Sequence, residues 1–150
     1  MDLFKIFSIS GSGMAAQRSR MTVVAGNLAN MESTRTADGG PYKRRDVIFR
    51  SAASAGEFAD RLADLADGYE APQGVEVVGV KESSRPPRLL FDPNHPDANA
   101  DGYVAMPDIN PMEEMVDMMS ATRSYEANLA AYNTTKSLIR RILDMARSSQ

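Results

Sequence analysis

Asn110-Pro111-Met112-Glu113-Glu114-Met115-Val116-Asp117-Met118 reads as the opening turns of a long helix. Asn is a strong N-cap, because its side-chain oxygen accepts from the first unpaired backbone N–H groups. Pro suits the first helical position, and Glu113 stands where a capping box needs its carboxylate. Glu113 and Glu114 face the positive end of the helix dipole, while Arg140, Arg141 and Arg147 lie near its negative end. Neither Gly nor Pro interrupts the chain from Met112 to Gln150. At 1.5 Å per residue this predicts a cylinder of roughly 50–60 Å. Its apolar stripe runs Met115, Met118, Tyr125, Leu129, Tyr132, Ile139, Leu143 and Ala146, interrupted at Thr122 and Lys136.

A second helix is expected at the other end of the chain, from Asp2 to Asn30. Phe7, Met14, Met21 and Leu28 recur every seventh residue, and Leu3, Val24 and Met31 fill the alternate seam, broken by Ser10 and Gln17. Ser10-Gly11-Ser12-Gly13 weakens its middle, since each Gly costs about 1 kcal/mol relative to Ala. Between the helices lie strand-like pieces at Val47–Phe49, Val75–Val80, Arg88–Phe91 and Tyr103–Ala105. Gly56–Ala66 carries Phe58, Leu62 and Leu65 at helical spacing, and prolines break up the remainder. The expected fold is therefore mainly α with a β-rich insert, its long terminal helices paired as an antiparallel coiled coil. Segments 1–35 and 110–150 would form one discontinuous helical domain, with a loop and β-rich insert at 36–109. Val116, Met119, Ala130, Leu138 and Ile142 spread beyond one seam, so a two-helix hairpin leaves apolar surface for neighbouring subunits.

Composition excludes several function classes. The net charge of -3 opposes a polyanion as main partner, and Lys43-Arg44-Arg45 reads as a solvated loop or a polar subunit contact. Without cysteine there is neither a disulfide framework nor a thiolate metal site. The ten methionines fill irregular apolar gaps. No segment has the length of apolar sequence a membrane span requires. Lys5 and Ser8 interrupt the apolar residues of the amino terminus, so no cleavable secretory signal is expected there.

Asn27-Leu28-Ala29-Asn30-Met31-Glu32-Ser33-Thr34 resembles the N-x-A-N-x-x-T element that closes the first helix of bacterial flagellar rod and hook proteins, with Ser33 at the Thr position. An Asn pair at a helix end can satisfy loose backbone groups, and a hydroxyl can hold the turn that follows. The flanking Ser12-Gly13-Met14, Gln17-Arg18 and Gly39-Gly40-Pro41-Tyr42 are similar to the proximal-rod branch of that family. So are Asp92-Pro93-Asn94-His95-Pro96, Asp101-Gly102-Tyr103-Val104 and Arg123-Ser124-Tyr125-Glu126-Ala127-Asn128. Arg50 to Gln73 carries no recognisable pattern.

The resemblance implies a structural subunit of the flagellar basal body, exported through the flagellar type III apparatus without signal-peptide cleavage. It implies polymerisation into the drive shaft that crosses the periplasm. Partners would be further copies, other proximal rod subunits and the adaptor joining rod to export gate. No nucleic acid, cofactor or membrane span is expected. Assembly would fall on Met14, Met21, Asn27, Leu28, Asn30, Ser33 and Thr34 at one end. At the other end it would fall on Met115, Met118, Tyr125, Asn128, Leu129, Tyr132, Ile139 and Leu143.

Two readings compete. Asp97-Ala98-Asn99-Ala100-Asp101-Gly102 satisfies the opening of a calcium loop, with Asp108 at its twelfth position. Pro93 and Pro96 forbid the entering helix, Pro107 falls inside the loop and Asp is shorter than the usual Glu, so an Asx-rich turn is the expectation. A cytoplasmic coiled-coil adaptor shares the helices but gives no reason for the Asn27-to-Ser33 element. His95, the one histidine, has no nucleophile at motif spacing, so no enzyme is expected.

Overall fold

A computed structural model describes residues 3–52 and 74–148. The helix expected at Gly56–Ala66 lies outside the described residues. Elements follow in the order α1 (Leu3–Ala29), β1 (Arg45–Ser51), β2 (Val75–Glu82), β3 (Arg88–Phe91), β4 (Tyr103–Met106) and α2 (Pro111–Ser148). Asn110 opens α2 as its sequence requires. Its Oδ1 accepts from the Met112 N–H at 3.1 Å and its carbonyl accepts from the Glu114 N–H at 3.1 Å. Glu113 completes the cap by accepting from the Asn110 side-chain amide at 3.3 Å rather than from its backbone N–H.

β1 pairs with β2 and β3 with β4, giving two small sheets. β3 and β4 run antiparallel in the register Arg88↔Met106, Leu89↔Ala105, Leu90↔Val104, Phe91↔Tyr103. Gly102 turns the loop between them at φ 79°, and a β-carbon there would press on the Phe91 ring at 3.0 Å. Phe91 and Tyr103 then meet edge to face, 5.3 Å between centroids.

The chain divides into two compact units. The first draws on Met1–Gln17, Phe49–Val78 and Arg123–Gln150. In it the Phe7 ring meets the Tyr132 ring edge to face at 4.6 Å. Gly13 lies against the Asn128 side chain, where an added β-carbon would come within 2.9 Å of Oδ1. Gly13 is therefore more than a weak point in α1: its missing side chain is what lets α2 approach. Ser12 ties in the strands, its hydroxyl donating to the Ile9 carbonyl at 2.8 Å and accepting from the Val75 N–H at 3.0 Å.

The second unit draws on Arg18–Ile48 and Gly79–Thr122. Val24, Val104, Ile109 and Ala121 are buried in it. Arg20 pairs with Asp117 at 2.9 Å, and the Thr122 hydroxyl, which donates to the Met118 carbonyl at 2.9 Å, lies 3.5 Å from the Met21 sulfur.

The least exposed line of α2 differs from the apolar stripe. Glu114, Ala121 and Thr135 are buried, while Met118, Tyr125, Asn128, Tyr132 and Ile139 are half-buried. These eight positions alternate steps of four and three, the spacing of a heptad seam. Met118, Tyr125, Tyr132 and Ile139 thus lie where expected. Met115 (47%), Leu129 (39%) and Leu143 (55%) do not, and stand exposed. The reason is chemical: Glu, Ala, Asn and Thr occupy the other half of the seam, and apolar periodicity does not register them. On α1, Ser10 is buried and Gln17 half-buried, so both belong to the seam they were expected to interrupt.

Candidate functional site

The element read from Asn27 to Thr34 closes α1 and gathers the densest polar cluster of the second unit. Asn27 is fully buried and uses its whole side-chain amide. Its Nδ2 donates to the Arg45 carbonyl at 2.8 Å and to Glu114 Oε2 at 3.0 Å. Its Oδ1 accepts from the Arg45 N–H at 2.9 Å and from the Tyr42 hydroxyl at 3.3 Å. Two donors and two acceptor sites are all that an amide offers. No other side chain reproduces that set in the same volume: Asp lacks the donors and Leu lacks both.

Glu114 is the other buried centre, and its side chain is wholly enclosed. A carboxylate out of water is tolerated only when paired and hydrogen-bonded. Arg44 Nε supplies that charge at 2.5 Å from Oε1, while Asn27 holds Oε2. The same guanidinium donates from Nη1 to Asp46 at 2.7 Å and from Nη2 to Asp117 at 3.4 Å. Burial on its own would lower the Arg44 pKa. The hydrogen bond and charge of Glu114, with Asp46 and Asp117, outweigh that and hold it above its usual value. Burial also raises the Tyr42 phenol, opposed by Arg45 and reinforced by Glu82 and Glu114, which favours the neutral hydroxyl that donates to Asn27. Arg45 itself crosses the Tyr42 ring at 5.4 Å and pairs with Glu82 at 2.9 Å.

Asn30 and Ser33 perform the turn. Asn30 Nδ2 caps the Gly26 carbonyl at 2.8 Å, and the Ser33 hydroxyl donates to Asn30 Oδ1 at 3.1 Å. The Tyr42 N–H then bonds the Ser33 carbonyl at 3.0 Å, returning the loop towards Asn27. Serine in place of threonine keeps the one group this turn uses. Thr34 binds Asp97 instead, its hydroxyl 2.8 Å from Oδ2.

That bond helps to disperse the calcium-loop residues. Asp97 also faces Arg35 at 4.0 Å, and Asn99 Oδ1 accepts from the Asp101 and Tyr103 N–H groups as an Asx turn does. Asp108 pairs with Arg85 at 3.7 Å. Among the described residues, no group of acidic or histidine side chains is placed to hold a metal.

Of the residues expected to serve assembly, Asn27, Asn30, Ser33 and Thr34 turn out to order the chain internally. Met14, Met21 and Leu28 are half-buried on α1, as are Met118, Tyr125, Asn128, Tyr132 and Ile139 on α2. Met115, Leu129 and Leu143 remain on the surface. Arg44 and Tyr42 were missed, because a basic triplet reads as solvated. The signal that could have found Arg44 was Glu114, a carboxylate four residues before Met118 and seven before Ala121 on one line of the helix.

Residues 7–35 match the family of flagella basal body rod proteins, and residues 100–145 match the C-terminal family of flagellar basal body rod FlgEFG proteins. The flagellar basal-body rod protein FlgC of Borreliella burgdorferi is 40% identical over 151 residues, covering 95% of this chain and 97% of its own. That of Salmonella typhimurium is 41% identical over 145 residues, covering 97% and 98%. The Bacillus subtilis relative is 40% identical over 152 residues, covering 98% and 100%.

Proposed function

Because the chain belongs to the FlgC family of flagellar basal-body rod proteins, we propose that its terminal helices, paired as an antiparallel coiled coil, polymerise it into the drive shaft that crosses the periplasm. It is a structural subunit of the rod and not an enzyme. Segments 1–35 and 110–150 act as one discontinuous assembly domain around the insert at 36–109. The partners are further copies, neighbouring proximal rod subunits and the adaptor that joins rod to export gate. The subunit reaches them through the flagellar type III apparatus with its amino-terminal segment retained.

One observation carries the proposal. Apolar side chains large enough to form a core stand exposed along α2, among them Met112 (68%), Val116 (57%), Met119 (54%) and Ile142 (48%). A solvated helix face of that kind gains stability only when something covers it. No described helix is long and apolar enough to cross a membrane.

Purified basal bodies are the test. They should contain this subunit, and mass spectrometry should recover its intact amino-terminal peptide. Absence of the chain from basal bodies, or cleavage within its first thirty residues, would contradict the proposal.

A further inference from the structure

β3 has a strand on one side only, since it forms a two-stranded sheet with β4. Its register fixes which backbone groups that leaves over. The Asp92 N–H bonds the Gly102 carbonyl at 3.0 Å, one step past the pair Phe91↔Tyr103. Hydrogen-bonded and non-bonded pairs alternate along an antiparallel ladder. Arg88 and Leu90 therefore turn their N–H and C=O groups towards β4, while Leu89 and Phe91 turn theirs away. Tyr103 agrees, because its N–H and carbonyl both bond Asn99 and neither bonds β3. Among the described residues, no backbone bond outside the ladder reaches Leu89 or Phe91.

The side chains of this edge are uncovered too. Leu89 and Phe91 are each 63% exposed, Leu90 48% and Tyr103, beside Phe91, 42%. Spaced donor–acceptor pairs among exposed apolar side chains are what an added strand binds. Pro86-Pro87 and Pro93 bracket Arg88–Asp92, so the edge is short and its limits are fixed. Its charges are polarised, with Arg88 at the start and Asp92 at the end. Near Arg88, Arg85 and Asp108 pair with each other at 3.7 Å. Beyond Asp92, Asp97 faces Arg35 at 4.0 Å, and Asp101 adds a further exposed acid. Asp92 keeps one oxygen on the Asn94 N–H at 3.2 Å and has the other to offer.

We propose that β3 of the free subunit adds antiparallel to β3 of a second copy, centred on Leu90, so that two hairpins join into one sheet. Leu89 of each copy then exchanges both backbone bonds with Phe91 of the other, which uses every outward group. Arg88 of each copy falls opposite Asp92 of the other, a favourable cross-strand pair. Parallel addition would set like charge on like charge. A shift of two residues either way sets Pro87 or Pro93, which lack an N–H, where a donor is needed. The contact is small and therefore weak. Being two-fold, it closes on itself, so it masks the edge of the free subunit without extending the rod.

The chain's lack of cysteine lets the contact be trapped. Leu90→Cys places a thiol opposite itself in a non-bonded pair, with about 4.5 Å between Cα atoms, which a disulfide can bridge. Leu89→Cys, at a more exposed residue, meets its own copy only diagonally at about 7–8 Å, beyond that reach. Each purified full-length variant is incubated with a mild oxidant. Leu90→Cys should form a reducible dimer about tenfold faster than Leu89→Cys, because only its thiols lie within disulfide geometry. Leu89→Pro removes an outward N–H and no ladder bond. Added to Leu90→Cys, it should leave circular dichroism unchanged and lower cross-linking to the Leu89→Cys rate. Arg88→Asp, which sets acid on acid, should slow cross-linking as well. Equal rates for the two cysteines would mean that β3 meets a different strand or none, which overturns the proposal. So would a Leu90→Cys rate that neither Arg88→Asp nor a folded Leu89→Pro chain lowers. None of these outcomes bears on the rod reading, which basal bodies test.

Discussion

Glu114→Ala is expected to destabilise the subunit by about 3 kcal/mol, the lower end of the cost of breaking a buried ion pair. The carboxylate is fully enclosed and serves both Arg44 and Asn27, so its loss strands the Arg44 Nε and one Asn27 donor. The figure sits at the low end because Arg44 keeps Asp46 and Asp117, and its side chain retains 22% exposure. Urea denaturation should show the midpoint falling by roughly 1–2 M at an ordinary slope. Glu114→Gln keeps the shape and one acceptor and should fall between. Adding Arg44→Met to Glu114→Ala should recover part of the loss, because the uncompensated charge goes with it. A midpoint unchanged by Glu114→Ala would show that the network does not hold the end of α1 to the start of α2.

Leu129→Asp should act at the opposite level, leaving the free subunit folded and the cells non-motile. Leu129 is 39% exposed, so a carboxylate there stays hydrated before assembly. Covered by a neighbouring subunit, the same charge would be buried without a partner at a cost of several kcal/mol, repeated in every copy. The measurement is swimming in soft agar beside the cellular level of the subunit. Normal swimming would remove this part of α2 from the assembly surface. Loss of the subunit itself would show that Leu129 stabilises the fold.

These two expectations divide along the line between what the residues disclosed and what they hid. Asn110-Pro111 placed the start of α2, and the seven-residue spacing of Phe7, Met14, Met21 and Leu28 placed a half-buried line on α1, although its buried residues, Ser10, Ala16, Val24 and Asn27, stand off that line. The strands at Arg88–Phe91 and Tyr103–Met106 were legible because turn-formers bracket short runs of apolar and aromatic residues. What stayed hidden was half of the α2 seam. Glu114, Asn128 and Thr135 occupy inward positions; Thr135 bonds only the Ala131 carbonyl one turn back, whereas Glu114 and Asn128 disclose their burial through Asn27, Arg44 and Gly13. Those partners are remote in sequence. The seam read from hydrophobicity was therefore rotated, and it took Met115, Leu129 and Leu143 for inward residues.

The element from Asn27 to Ser33 shows the converse. Its type of chemistry, amides and a hydroxyl at a helix end, was readable locally, and Asn30 with Ser33 does shape the turn as expected. Asn27 exceeds that role by binding the backbone of Arg45 and the carboxylate of Glu114 at once. Resemblance to rod proteins marked the residue, whereas only its four hydrogen bonds explain why an amide is needed there.

If α2 serves assembly, its exposed face becomes covered when the subunit joins the rod. Methionine oxidation reads that directly, since a thioether reacts with peroxide according to its exposure. Met112, Met115, Met119 and Met145 are 47–68% exposed in the subunit, whereas Met14, Met21 and Met118 are half-buried. Mild peroxide followed by peptide mass spectrometry should oxidise the first four readily in free subunit and only slowly in intact basal bodies. The second group should change little between the two samples. Equal oxidation of Met112, Met115, Met119 and Met145 in free and assembled subunits would contradict the account.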